Sequence, residues 1–171
     1  MAMQSVQDLF RHELSDMYDA EQRIMQMLPQ MANECSNTEV KNALEYHEQQ
    51  TRQQINNLEQ CFQVLGSQPE RVSCQAIIGL KQEHDTFVKE KPAEPILTMY
   101  DLGGAAKTEH YEIASYRGLV EKATLMGQKD CARLLQENLR QEEEMAQKVE
   151  QISRKLGQQM IQGAGQQKQK V

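Results

Sequence analysis

Glu21, His47, Glu109, Glu112 and Glu142 each stand where the apolar stripe of an amphipathic helix calls for a hydrophobe. A lone carboxylate taken into a helical core is costly unless it is protonated, paired or bound to a cation. Four separate helical stretches make the same breach, which points to one shared solution. A divalent metal cluster held by carboxylates and an imidazole satisfies all of them at once.

The elements that must position these residues read as helices throughout. Among 171 residues Gly (9) and Pro (4) are sparse and Trp is absent, while Leu, Met, Ala, Glu, Gln, Lys and Arg are plentiful. Those are strong helix formers, and nothing alternates with period two for long enough to be a strand. The chain is therefore all-α, with a length that suits one domain. A first helix is expected over about Ser5 to Cys35, carrying Val6, Leu9/Phe10, Leu14, Met17, Ile24/Met25, Leu28 and Met31/Ala32, with Glu21 in phase. Pro29 lies inside it and should kink it or force a local adjustment. After the break Ser36-Asn37-Thr38, with Asn37 or Thr38 as N-cap, a second helix reads Val40, Leu44, His47, Thr51, Ile55, Leu58, Phe62 and Leu65 up to Gly66.

A connection of about 30 residues then holds one short helix, around Cys74 to Lys89, and closes at Pro92 and Pro95. The third long helix carries Met99, Leu102, Ala106, Glu109, Ile113, Tyr116, Val120 and Ala123. A turn near Gly127-Gln128 leads to the fourth, with Cys131, Leu135, Asn138, Glu142, Met145, Val149, Ile152 and Leu156. Two tight hairpins joined by one long crossover define a ferritin-like antiparallel four-helix bundle, the crossover carrying a short fifth helix. The bundle is expected over residues 1–156, and the Gln, Gly and Lys of 157–171 as a flexible tail.

In a helical hairpin, residues equidistant from the turn lie level. With the first turn near residue 36, Glu21 is level with about residue 51, so Gln50 faces it and His47 lies about one turn, ~5.4 Å, away. With the second turn near 127–128, Glu142 is level with about 112–114, so Glu112 faces it and Glu109 lies one turn further. His47 and Gln50 share a face, as do Glu109 and Glu112. The breaches agree in height, where unrelated surface carboxylates would scatter.

Taken one at a time, each has a plainer reading. Glu142 in the run Glu142-Glu143-Glu144 reads as a solvated face, and His47 as a hydrogen-bonded core histidine. His110 points about 100° away from Glu109 and is given a supporting or surface role. His12 and His84 fall on polar, solvated ground; Tyr18, Tyr111 and Tyr116 read as buried aromatic filler close to the site.

A net charge of −6 argues against nucleic acid or anionic membrane as the main partner. No run of about 18 apolar residues could span a bilayer. Met1-Ala2-Met3-Gln4 starts no basic region followed by an apolar stretch, so a cytoplasmic location is expected. Cys35, Cys61, Cys74 and Cys131 lack CxxC spacing and read as small hydrophobes.

The segment Glu109-His110-Tyr111-Glu112-Ile113-Ala114-Ser115-Tyr116, with Tyr18-Asp19-Ala20-Glu21 and Leu65-Gly66-Ser67-Gln68-Pro69, resembles the YciE/YciF family of bacterial ferritin-like, stress-associated proteins. The likeness covers about residues 5 to 156. It implies a five-helix ferritin-like fold, often a homodimer, with a dinuclear iron or manganese site. Carried onto this chain, the metal-binding residues are Glu21, His47, Glu109, Glu112 and Glu142. Two departures stand out: Gln50 where the family's second helix has Glu three residues after the His, and Gln141-Glu142 then Ala146 where its fourth has paired Glu followed by Asp. The expected chemistry is that of a ferroxidase or peroxide-reducing protein acting on Fe(II), dioxygen or peroxide in stress protection. The alternative is a non-catalytic helical dimer scaffold with a degenerate site; a thiol and methionine redox sensor is a third reading.

Overall fold

The computed structural model describes residues 3–168, and among these there are five helices and no strand. Helix α1, Val6–Glu34, starts at a capping box in which the Ser5 hydroxyl accepts from the Asp8 amide (3.1 Å) and the Asp8 carboxylate accepts from the Ser5 amide (3.0 Å). It runs through Pro29 as one helix. Helix α2, Thr38–Val64, is capped by the Asn37 side chain, which accepts from the amides of Glu39 and Val40. Gly66 ends it in the left-handed region (φ 68°), and Gly127 (φ 71°) makes the same turn between α4, Glu94–Leu125, and α5, Lys129–Lys168.

Cross-helix contacts define the topology. Helix α1 lies antiparallel to α4, because Glu13 meets Lys122 at one end and Ser36 meets Glu94 at the other. Helix α2 lies antiparallel to α5, with Lys155 on Glu39 and Cys131 beside Cys61. Each hairpin is antiparallel within itself, so α2 and α4 run in the same direction on one diagonal of the bundle. Only a full-length crossover can connect them, which is the ferritin-like arrangement.

The crossover contains α3, Gln75–Val88, and Asp19 pins its start. This buried carboxylate accepts from the Cys74 amide (2.8 Å) and the Arg71 guanidinium (2.7 Å), with Arg23 beside it on α1. At its other end α3 lies on α4, with Phe87 stacked on Tyr100 (centroids 3.7 Å apart), His84 bonded to Asp101 and Lys107 paired with Glu83.

Three expectations are corrected. Val6 and Leu9 are exposed (50% and 38%), since the opposite hairpin ends before it can cover the first turns of α1. In α2 the buried face turns toward Gln54 and away from Ile55, which is only half-buried. Helix α5 continues through Gly157 to Lys168 where a flexible tail was expected. Gln, Met and Lys favour helix, and each of the three glycines in this stretch (Gly157, Gly163 and Gly165) costs only about 1 kcal/mol; a β-carbon at Gly157 would lie 3.5 Å from Met99, so the extension starts along the first turns of α4. Residues 169–171 of that tail lie outside the described residues. Cys61, Cys74 and Cys131 are buried as expected, Cys35 is half-buried, and all four are free thiols. No described helix is long and apolar enough to cross a membrane.

Candidate metal centre

Two apolar layers sandwich a polar one. Phe10, Leu14, Leu58, Phe62, Leu119 and Leu135 fill one end of the bundle; Leu28, Leu44, Leu102, Val149 and Ile152 fill the other. Between them all four long helices turn polar side chains inward, and every carboxylate anticipated there is buried. Glu21, Glu112 and Glu142 have no exposed surface, and Glu109 and His47 are 2% exposed.

His47, Glu109, Glu112 and Glu142 converge, each offering a ligand atom within 4.8 Å of the others. The His47 Nε2 lies 3.4 Å from Glu109 Oε1 and 4.0 Å from Glu142 Oε2. Helix pitch accounts for the grouping: Glu109 and Glu112 lie one turn apart on one face of α4, while α2 and α5 each place one residue at that height. Glu21 is not among the four. It sits beside them on α1, where the Tyr116 hydroxyl donates to one oxygen and the other has no partner. Gln50 is buried with its side-chain carbonyl oxygen unpartnered, and Ala146 is buried without any ligand atom.

An amide and phenol seam holds the carboxylates. The Gln54 amide donates to Glu142. The Asn138 side-chain amide donates to the Tyr116 hydroxyl (3.1 Å) and to the Gln54 main-chain carbonyl (3.2 Å), and the Asn57 side-chain amide donates to the Asn138 side-chain oxygen (2.7 Å). Tyr116 thus hydrogen-bonds within this polar layer, where aromatic filler was expected. Tyr111 bonds to Asp16 and Tyr18 to Glu59, both away from the centre. His110 is exposed and bonded to Glu150, as a surface role requires. His84 differs from the expected solvated residue: its side chain is 19% exposed and bonded to Asp101 under α3.

Burial dominates the electrostatics. It pushes the Glu109 carboxyl up to about 7, with the Glu142 hydrogen bond opposing and the charge of Glu21 adding to the rise. Burial also raises Glu21, Glu112 and Glu142 well above the ordinary carboxylate range, and repulsion among the carboxylates adds to it. Even so, both Glu112 oxygens, both His47 ring nitrogens and one oxygen each of Glu21, Glu109 and Glu142 have no hydrogen-bond partner. Leaving one buried polar atom unpaired costs about 1–3 kcal/mol. Such a concentration in one layer fits a cation, whose bonds would satisfy these atoms together.

Gln54, Asn57 and Asn138 are the site residues the sequence reading did not assign. Their spacing held a signal, since Gln54 follows Gln50 by four residues and Asn138 precedes Glu142 by four, so both lie on the faces of candidate ligands.

The model of the family described as "Domain of unknown function (DUF892)" matches residues 5–162. Protein YciF of Escherichia coli (strain K12) is 32% identical over 143 residues, 83% of this chain and 86% of YciF. The crystal structure of that E. coli stress protein superposes with a TM-score of 0.86, covering 91% of this chain and 99% of YciF. YcfI from Rhodopseudomonas palustris, provisionally described as a structural protein, is 37% identical with a TM-score of 0.83, over 86% of this chain and 94% of that one. The sequence match over most of the chain and the shared five-helix architecture agree, and the chain belongs to the DUF892 family, the family of YciF.

Proposed function

We propose that this protein binds iron or manganese in the bundle core and acts on Fe(II), dioxygen or peroxide in stress protection. His47, Glu109, Glu112 and Glu142 would hold one ion, and Glu21, next to Glu112, would help to hold a second. The observation that carries this reading is the set of buried, unpartnered ligand atoms contributed by four helices. Charge supports a dinuclear site. Glu21, Glu109, Glu112 and Glu142 carry four negative charges when ionised, which two divalent cations balance. One cation would leave two carboxyls to be neutralised by protons.

One imidazole among carboxylates suits Fe(II) and Mn(II) better than the thiolate-preferring metals. When bound, such ions supply redox chemistry toward dioxygen or peroxide. The chain's own residues orient and exclude. Gln54 fixes Glu142, and Tyr116 fixes Glu21 while Asn138 fixes Tyr116. The apolar layers on either side keep bulk water out. With their raised pKa values the carboxylates can also take up the protons that metal binding or loss exchanges.

Metal analysis after anaerobic Fe(II) loading and desalting tests the reading. About two ions per chain, lost in a Glu112→Gln plus Glu142→Gln double variant, support it. Failure to retain metal overturns it and leaves the homodimeric, non-catalytic scaffold, the reading that Gln50 and Ala146 favour. Peroxide consumption by the loaded protein, compared with Fe(II) oxidation by dioxygen, then separates the two activities.

A further inference from the structure

An apolar cavity of about 310 Å³ lies beside the candidate metal centre, lined mainly by α1, α3 and α4, with Leu44 and His47 of α2 and Met145 of α5. Met27, Leu28 and Met31 of α1 form one wall, and Leu80 and Met99 the facing ones. Its floor is His47 and Glu109, with Met145 beside them. The His47 ring is 2% exposed with both nitrogens unpartnered, so an unsatisfied ligand residue stands at the inner end of an otherwise apolar space.

Gly103 and Gly104 form part of the rim. Two glycines in mid-helix weaken α4, and no neighbour demands them, because a β-carbon at either would meet nothing within 4 Å. What their missing side chains do is leave the space open. The polar groups at the rim already have partners, Lys107 with Glu83 at 2.7 Å and His84 with Asp101 at 3.0 Å. Neither pair leaves an unpartnered group to hold an ionic head group.

Volume and wall chemistry select the occupant. The cavity is about twice the ~150 Å³ apolar cavity that stays dry and takes up benzene. Since a cavity of ~150 Å³ takes up six-carbon benzene, one about twice that size holds on the order of ten carbons. Methionine walls are flexible and polarizable, and adapt to an unbranched chain more readily than branched side chains do.

We propose that this cavity binds a neutral, unbranched aliphatic chain of about ten carbons, with its inner end at the His47–Glu109 side of the metal centre. That the ligand's inner end would lie beside a bound metal rests on the metal reading above, whereas binding of the aliphatic chain does not require metal.

Isothermal titration of 1-hexanol, 1-octanol and 1-decanol into the full chain, both EDTA-treated and Mn(II)-loaded, tests this. One alcohol per chain is expected, with affinity rising about fourfold per methylene from hexanol to decanol. Gly104→Phe places a ring at the mouth and, independently, Met31→Trp narrows the opposite wall. Each should weaken decanol by about tenfold or more while leaving Mn(II) stoichiometry unchanged. Circular dichroism melts establish that both variants are folded. Absence of saturable binding, or equal binding to both folded variants, overturns the proposal. So does a dimer that Gly104→Phe dissociates while decanol gives no heat, since the occupant would then be a second copy. Decanol binding without Mn(II) binding sinks the metal reading alone, and the reverse result sinks the chain site alone.

Discussion

Raising the pH of the metal-free protein should destabilise it across the range where most proteins are at their best. Glu109 has a folded-state pKa of about 7 against an ordinary value of 4.5. The folded chain therefore holds a proton that the unfolded chain has already released. Where the native state binds more protons, stability falls as pH rises. The loss begins near the unfolded value and is complete above the folded one, a window from about pH 4.5 to about pH 7 for this residue. At 1.36 kcal/mol per pH unit, Glu109 alone accounts for a loss of about 3 kcal/mol. Glu21, Glu112 and Glu142 shift in the same direction and extend the loss to higher pH. Asp19 has a lowered pKa, because Arg23, the Cys74 amide and Arg71 outweigh its burial, so its stabilisation is lost only in acid below that window. Urea denaturation in EDTA, followed by far-UV circular dichroism between about pH 5 and about pH 8, gives the free energies. A stability that is flat or rises with pH over that interval refutes the account of the buried cluster. Loaded protein should show the opposite slope, since metal and protons compete for the same oxygens.

Glu112→Gln removes a buried group whose pKa is raised by burial and by the neighbouring carboxylates; it should raise the EDTA-treated protein's stability at about pH 8 while weakening Mn(II) binding in calorimetry. Lower stability in EDTA would contradict the electrostatic argument. Tyr116→Phe takes the donor from Glu21 and the acceptor from Asn138, with an expected loss of about 1–3 kcal/mol in urea denaturation. Asp19→Ala frees the Cys74 amide and Arg71. It should lower stability by about 2 kcal/mol and open residues 65–74 to limited proteolysis, whereas Asp19→Asn, which keeps an acceptor for the Cys74 amide, should lose less.

Much of this site is legible in the sequence because its residues break a strong pattern. Glu21, His47, Glu109, Glu112 and Glu142 interrupt apolar stripes, and hairpin geometry brings such interruptions level without any tertiary information. Asn138 and Gln54 were harder to see. Neutral amides in a stripe are ordinary, and only the contacts to Tyr116 and Glu142 reveal their purpose. The buried face of α2 was misplaced because Ile55 is the better hydrophobe, yet α5 offers Glu142 and Asn138 opposite Gln54 and Asn57. Local composition also misled at Gly157, where helix propensity and the neighbouring Met99 outweigh one glycine. The apolar cavity depends on how α3 lies along α4, and no periodicity encodes that.

Whether the breaches in four helices form one metal centre is tested most directly by a crystal structure of the protein soaked in Mn(II), with anomalous difference density. A peak is expected at about 2.0–2.3 Å from ligand atoms of His47, Glu109, Glu112 and Glu142, with a second peak next to Glu21. Anomalous density confined to surface carboxylates such as Glu143 and Glu144, with the core carboxylates unbound, would contradict it.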